Sequence, residues 1–387
     1  MIRTFESFFL GGFECSSHRR LDGKRLDLIA ATRHDVFAMQ DYMALRRHGI
    51  RTIRDGVRWH LIERTAGEYD WSSFLPMLHA AQGAGVQPIW DLCHYGFPDD
   101  IDIWSPAFVD RFARFAAALA RLVCDETAAP AWYCPINEIS FWAWAGGDMG
   151  SINPCAKGRG PALKRQLVRA AIAAIDAIKS VDRRARIVHA DPVFHVLPKT
   201  PHECEEARDA TGAQFEAWDM IAGSAVPELG GRPSYLDVVG VNFYSYNQWY
   251  LDGATIWRDH PDYRPFRDIL AGVYARYRRP LFVAETGAEG EHRVPWLGYI
   301  CGQVRAARAT GTPVDGICLY PVTDYPGWED LRHCRVGLLG YADTAGQRPV
   351  HRGLAAVLDR QQIAFSQLAA RDDGETHCIR QALLEEP

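Results

Sequence analysis

Two glutamates, Glu138 in the string INEI and Glu285 in the string AETG, close short apolar runs, Glu285 directly and Glu138 one residue on, after Asn137. Such a run, bounded by turn residues, reads as a buried strand, so each carboxyl is delivered to a strand end. Burying a carboxylate without a partner is costly, and Glu285 therefore needs charged or hydrogen-bonding company where it sits. Candidates for that company end other apolar runs: Arg54, His94, Asn137, Asn242, Tyr244, Tyr320 and Asp324. Any one of these is ordinary strand-end solvation, but two carboxyls facing one opening have a chemistry of their own. They can flank a scissile glycosidic bond, with one handling the proton.

The elements that would position them alternate along the chain. Strands are expected at Phe8 to Ser16, Ile50 to Trp59, Val86 to Tyr95, Ala131 to Ile139, Ala185 to Asp191, Leu236 to Ser245, Leu281 to Glu285 and Gly316 to Asp324. Helices are expected at Asp35 to His48 (stopped by Gly49), Trp71 to Gln82, and from Pro106 onward, with Ser105 as N-cap. Phe108, Phe112, Phe115, Leu119 and Leu122 hold one face of that third helix. Further helices are expected at Leu163 to Ser180, Gln214 to Ala222, Phe266 to Tyr277, Trp296 to Ala309 and Gly353 to Ser366, with a glycine-rich loop over Gly146 to Gly160.

Short apolar strands separated by amphipathic helices imply a parallel sheet with right-handed crossovers, and eight repeats close into a single (β/α)8 TIM barrel. A doubly wound open sheet is the rival, but no glycine-rich phosphate turn follows the first strand. No linker or compositional break divides the chain, so residues 1–371 read as one barrel and 372–387 as a loose tail. In such barrels the chemistry sits at the C-terminal strand ends, where the polar residues named above converge. Glu138 and Glu285, ending strands four and seven, would then meet across the mouth.

Composition narrows the partners. With 387 residues, 48% apolar and 24% charged, the chain suits a soluble enzyme with a large core. A net charge of -5 gathers neither nucleic acid nor an anionic membrane, and the basic runs at Arg183 to Arg186 and Arg276 to Arg279 read as solvated helix ends. No window approaches a membrane span, and the N-terminus lacks the pattern of a signal peptide. Ten cysteines scattered through strands and loops read as reduced thiols in a cytoplasmic protein, and no pair has zinc-ligand spacing. No metal or organic cofactor is expected, and the oligomeric state is left open.

Taken in order, RDGVRW (Arg54, Trp59), HYGFP (His94, Pro98), INEI (Asn137, Glu138), NFY (Asn242, Tyr244), AETG (Glu285) and YPVTDYPGW (Tyr320, Asp324, Trp328) resemble a family. The chain is similar to the clan A glycoside hydrolases and most similar to the family 1 β-glycosidases. That resemblance covers nearly the whole barrel. It implies a retaining β-glycosidase acting on a carbohydrate through a covalent glycosyl-enzyme intermediate, with Glu285 as nucleophile and Glu138 as acid and base. It further implies that Arg54 and Tyr244 orient Glu285 and lower its pKa. Glu14, His94, Asn137, Asn242, Tyr320, Asp324 and Trp328 would then bind the sugar, with Trp104, Trp142, Trp144, Tyr246 and Trp249 as further stacking candidates.

The sequence also departs from the family's pattern. Ile139 stands where the family has proline after the acid, Thr286 where it has asparagine after the nucleophile, and Tyr320 where it has tryptophan. Gly327 stands where a glutamate precedes Trp328, and Glu14 lies about where a sugar-binding glutamine is expected. These changes spare the catalytic pair and alter the grip on the outer hydroxyls, so glucose is not implied as the natural sugar. Transfer to a sugar acceptor, a hydrolase of another clan A family, and a silent sugar-binding barrel are the alternatives. An acid and a nucleophile together argue against silence.

Overall fold

A computed structural model of the chain describes residues 4–330 and 332–384, with side chains to residue 368. Eight parallel strands, paired in chain order, close into one barrel. They are β1 (Phe9–Gly12), β2 (Thr52–Gly56), β3 (Gln87–Cys93), β4 (Trp132–Ile136), β5 (Arg186–Pro192), β6 (Val238–Asn242), β7 (Leu281–Thr286) and β8 (Val314–Leu319). Closure is direct: Gly11 of β1 pairs with Ile53 of β2 on one side and Leu319 of β8 on the other. An open doubly wound sheet is thereby excluded.

The principal helices outside the barrel are α1 (His34–Arg47), α2 (Leu75–Ala84), α3 (Pro106–Glu126), α4 (Gly160–Val181), α5 (Glu216–Ala222), α6 (Phe266–Tyr277), α7 (Arg293–Ala309) and α8 (Arg352–Leu384). α8 takes in residues 372–384 of the expected tail; 385–387 lie outside the described residues. Ser105 does precede α3, but its hydroxyl donates to the Asp102 carbonyl and leaves the helix without a side-chain cap. Gly49 ends α1 with φ at 72°, a left-handed conformation that glycine adopts without a Cβ penalty.

Strand alternation sorts side chains inward and outward. Leu10, Ile89, Trp132, Cys134, Val188, Ala190, Val238, Phe282, Ala284 and Cys318 fill the barrel, and Phe5 packs against Trp132 and Phe282 with ring centroids 5.2 and 5.0 Å away. On the outer side, Phe108, Phe112 and Phe115 of α3 surround Trp59 at 5.7, 5.1 and 5.3 Å. Each such buried aromatic contributes on the order of 2 kcal/mol of transfer free energy. The apolar filling therefore gives the upper, polar layer a rigid floor.

Several strands end earlier than expected: β1 at Gly12, β4 at Ile136 and β8 at Leu319. Pro321 has no N–H for the ladder after β8, yet the residues just beyond each end still bond the neighbouring strands: the N–H groups of Phe13, Asn137, Glu138 and Tyr320 donate to the carbonyls of Arg54, Cys93, Ala190 and Thr286. Gly12 is required by its neighbour, because a Cβ there would lie 2.2 Å from a ring carbon of Tyr320. The expected glycine-rich loop holds a π-helical turn at Ala143–Asp148. Two further features were not foreseen, a helix at Cys204–Gly212 and small strand pairs over the mouth, His195–Leu197 with Gln248–Tyr250 and Tyr325–Pro326 with His333–Cys334. Among the described residues no helix is long and apolar enough to cross a membrane, and the nine cysteines described are all unpaired.

Candidate active site

Arg54 of β2 is fully buried, which an unpaired guanidinium could not be. It spends its donors on three strands. Its Nε and Nη2 fork onto Asp91 of β3 at 3.0 and 2.7 Å, Nη2 also reaches Asn137 Oδ1, and Nη1 donates to Glu285 Oε1 at 2.7 Å. Asp91 is held below its usual value because Arg54 and His94 outweigh the burial that would raise it. The sequence had not marked Asp91, which lies mid-strand with no motif around it. The signal was available as a carboxylate on the neighbouring strand, two residues beyond Ile89, the register partner of Arg54.

Glu285 lies on β7 opposite Asn242 of β6. Its second oxygen accepts from the Tyr244 hydroxyl at 2.9 Å. The lowering expected for its pKa is not the net result. Burial raises the Glu285 carboxyl above its ordinary value, and Arg54 pulls it back only in part.

Glu138 sits beyond β4, at the start of a short helix Ile139–Trp142, with φ at 46°. Left-handed backbone is sparsely populated by residues with a Cβ, and its N–H and carbonyl are pinned by Ala190 and Trp142. Ser140, two residues on, is anchored to Asp191 of β5 by its N–H and its hydroxyl, at 3.1 and 2.8 Å. Among the described residues no cation touches Glu138. Asn242 Nδ2 donates to Oε1 at 2.8 Å and the Tyr95 hydroxyl to Oε2 at 2.5 Å. Burial and repulsion from Glu285 nevertheless raise Glu138 to about 8. At neutral pH Glu138 thus keeps its proton while Glu285, beside Arg54, is the one to ionise.

The remaining expected residues are distributed unevenly. Asn137 presents Nδ2 to both Tyr95 Oη and His94 Nε2 at 3.0 Å, and His94 Nδ1 lies 3.1 Å from Asp91 and from Cys15 Sγ. Since Asn137 Oδ1 is taken by Arg54, Nδ2 must be the donor, and His94 Nε2 the acceptor. Tyr320 lies stacked parallel to His94 at 6.2 Å and beneath Arg54 at 5.4 Å. Asn242 holds Glu138. Asp324 accepts from the Gly337 N–H and faces Arg293 at 3.8 Å, so it braces the loop after β8. Trp328 packs on His18 and Tyr95 at 4.7 and 5.8 Å, and its buried indole N–H has no hydrogen-bond partner among the described residues.

Of the stacking candidates, Trp144 and Tyr246 are exposed, with Tyr246 parallel to Tyr244 at 5.6 Å. Trp142 is core, its N–H donating to the Asn153 carbonyl. Trp104 is covered by Arg159 at 3.6 Å, and Trp249 packs on Phe194 at 5.1 Å. Tyr95, like Asp91, is a residue that sequence reasoning missed; its mark was its place next to His94 at a strand end. Cys15, Asp91 and His94 bring three ligand-type atoms within 4.8 Å of one another. A cation there would sit beside Arg54, whose guanidinium already holds both Asp91 oxygens.

No protein-family model matches the chain, and no curated protein matches it in sequence. Solved structures do match in shape. The β-glucosidase from Thermotoga maritima in complex with castanospermine superposes with a TM-score of 0.76 at 17% identity, over 94% of this chain and 99% of that one. Its complex with azafagomine gives 0.75 at 17% identity over 93% and 99%. A family 1 β-glucosidase from the same organism gives 0.74 at 17% identity over 94% and 99%. At that identity the likeness establishes the TIM-barrel fold over the 93–94% of this chain that is matched, and the chemistry rests on the side chains just described.

Proposed function

We propose that this chain is a retaining β-glycosidase of the clan A, family 1 type. The observation that carries the reading is the inequality of the two carboxyls: Glu285 tied to a guanidinium and a phenol, Glu138 free of cations and raised to about 8. The full-length fold likeness to β-glucosidases supports it. Glu285 attacks the anomeric carbon as the bond to the leaving oxygen breaks, and Glu138 gives that oxygen its proton. Esterification removes the charge of Glu285, so the repulsion that raised Glu138 disappears and Glu138 becomes a base. It takes a proton from water, the water oxygen bonds the anomeric carbon, and Glu285 departs as carboxylate.

Retention calls for carboxyls roughly 5–5.5 Å apart. In this reading Tyr320 and Trp328 face the ring, while Asn137 and His94, whose polar atoms bond one another, Arg54, Tyr95 and Asp91, lie beneath the hydroxyls nearest the scissile bond. The unpaired thiols suit a reducing, cytoplasmic setting. The test is Glu285→Ala on aryl β-glycosides with good leaving groups. Turnover is lost, and azide restores it as a glycosyl azide of inverted configuration, while the wild type releases a first product of retained configuration by NMR. Undiminished hydrolysis by the variant, or an inverted first product from the wild type, overturns the reading.

A further inference from the structure

The mouth of the barrel carries one carboxylate more than the chemistry uses. Glu14 follows β1 and is 94% buried, at 6% exposure. Its Oε1 is fixed by the Ser16 N–H at 3.0 Å and the Ser16 hydroxyl at 2.5 Å. Its Oε2 receives no hydrogen bond, and no lysine or arginine reaches the carboxylate, among the described residues. Its Oε1 lies 4.0 Å from His94 Nε2, and the next residue, Cys15, has its Sγ 3.1 Å from His94 Nδ1 and 3.9 Å from Tyr320 Oη, which sets Glu14 among the side chains at the opening.

His94 is the nearest basic side chain, with Nε2 4.0 Å from Glu14 Oε1. It cannot serve as the counter-ion. Nε2 is engaged by Asn137 Nδ2, whose orientation is fixed by the bond from Arg54 to Asn137 Oδ1, so that nitrogen is not free to donate to Glu14. Arg54 is already committed to Asp91 and Glu285. Glu14 is therefore a buried carboxyl held through one oxygen with the other open, and a buried carboxylate without a partner is retained at a cost.

We infer that Glu14 is the counter-ion for a cationic substrate: a β-glycoside whose non-reducing sugar carries a protonated primary amine in place of one ring hydroxyl. The inference rests on the glycosidase reading of this mouth. A neutral hydroxyl would satisfy Glu14 as a hydrogen-bond acceptor but leave its charge unpaired, whereas an ammonium supplies both. A charge-assisted bond at a site this dry favours the amine over the hydroxyl by roughly 10- to 100-fold.

The experiment pairs calorimetric binding with turnover. Methyl β-hexopyranosides of gluco, galacto and manno configuration, bearing hydroxyl or amine at C3, C4 or C6, are titrated into wild type and Glu14→Gln, and the matching nitrophenyl glycosides are assayed. The expected result is one amino sugar bound, and turned over in kcat/KM, at least tenfold better than its hydroxyl counterpart by wild type, with that preference abolished or reversed in Glu14→Gln. Binding of the amine that depends on Glu14 without turnover of any glycoside would keep this inference and remove the glycosidase reading. Efficient hydrolysis of neutral glycosides with no advantage for any amine, or an advantage that survives Glu14→Gln, overturns the inference and leaves the glycosidase reading intact. If no sugar of either kind binds, both fall.

Discussion

Tyr95→Phe isolates the wiring of the acid. The phenol donates to Glu138 Oε2 at 2.5 Å and accepts from Asn137 Nδ2 at 3.0 Å, and both atoms are buried. That bond favours the ionised form of Glu138, so it works against burial and Glu285, which together raise the carboxyl to about 8. A hydrogen bond to a charged group is worth about 1.5–3 kcal/mol, and one pH unit corresponds to about 1.4 kcal/mol. Removing the hydroxyl should therefore move the alkaline limb of kcat/KM, which reports loss of the proton from Glu138 in the free enzyme, upward by about one unit or more. The same variant should lose kcat on glycosides with excellent leaving groups, where release of the sugar from Glu285 is slow, because a more basic but misoriented Glu138 activates water poorly. The assay is a pH profile from 5 to 10 with an activated and an unactivated aryl glycoside. An alkaline limb that stays in place or moves to lower pH would refute the assignment of Glu138 as the acid held by Tyr95.

Two other expectations follow from buried charge. Arg54→Met leaves Asp91 and Glu285 without their cation at full burial, so it should cost about 3–5 kcal/mol of stability as well as activity; urea unfolding checks it, and a loss below about 1 kcal/mol would show that the network relaxes. Behind β2, His34 donates to Asp41 and Asp55 at 2.7 and 2.8 Å; burial alone would lower its pKa, but the two carboxylates outweigh it and raise it from 6.5 to about 9. The folded state holds that proton more tightly, so the contribution of about 3 kcal/mol is complete below pH 6.5 and is lost as pH rises through 9. The stability gap between wild type and His34→Gln should shrink accordingly between pH 6 and 9.5, and a gap that widens would contradict the charged His34.

Much of this was legible because barrels obey two simple periodicities. Short apolar runs with one amphipathic helix between each pair announced eight repeats, and the rule that chemistry follows the strands pointed Glu138, Glu285, Arg54 and Tyr244 to one mouth. What a single sequence hides is who holds whom. Asn242 was expected to touch sugar, yet its amide grips Glu138, and Asp324 braces the loop after β8 through Gly337. Asp91 and Tyr95 went unnoticed because a mid-strand acid and a lone tyrosine have no periodic signature. Nor does composition reveal net pKa: Arg54 beside Glu285 suggested a lowered value, whereas full burial of the pair outweighs it.

Those unnoticed contacts link the two catalytic carboxyls mechanically. Arg54 fixes Asn137 by its Oδ1, which forces Nδ2 toward Tyr95 and His94, and Tyr95 in turn donates to Glu138. One guanidinium therefore orients Glu285 directly and Glu138 through two intermediaries. Its charge, however, reaches only the first. The relay transmits orientation through neutral groups, so Glu138 is held as firmly as Glu285 without receiving the counter-ion that would ionise it. A lysine at position 54 could supply the same charge but not the planar fork that touches Asp91, Asn137 and Glu285 together. Arg54→Lys should accordingly weaken the positioning of both carboxyls while leaving their order of ionisation intact, which is a different failure from that of Arg54→Met.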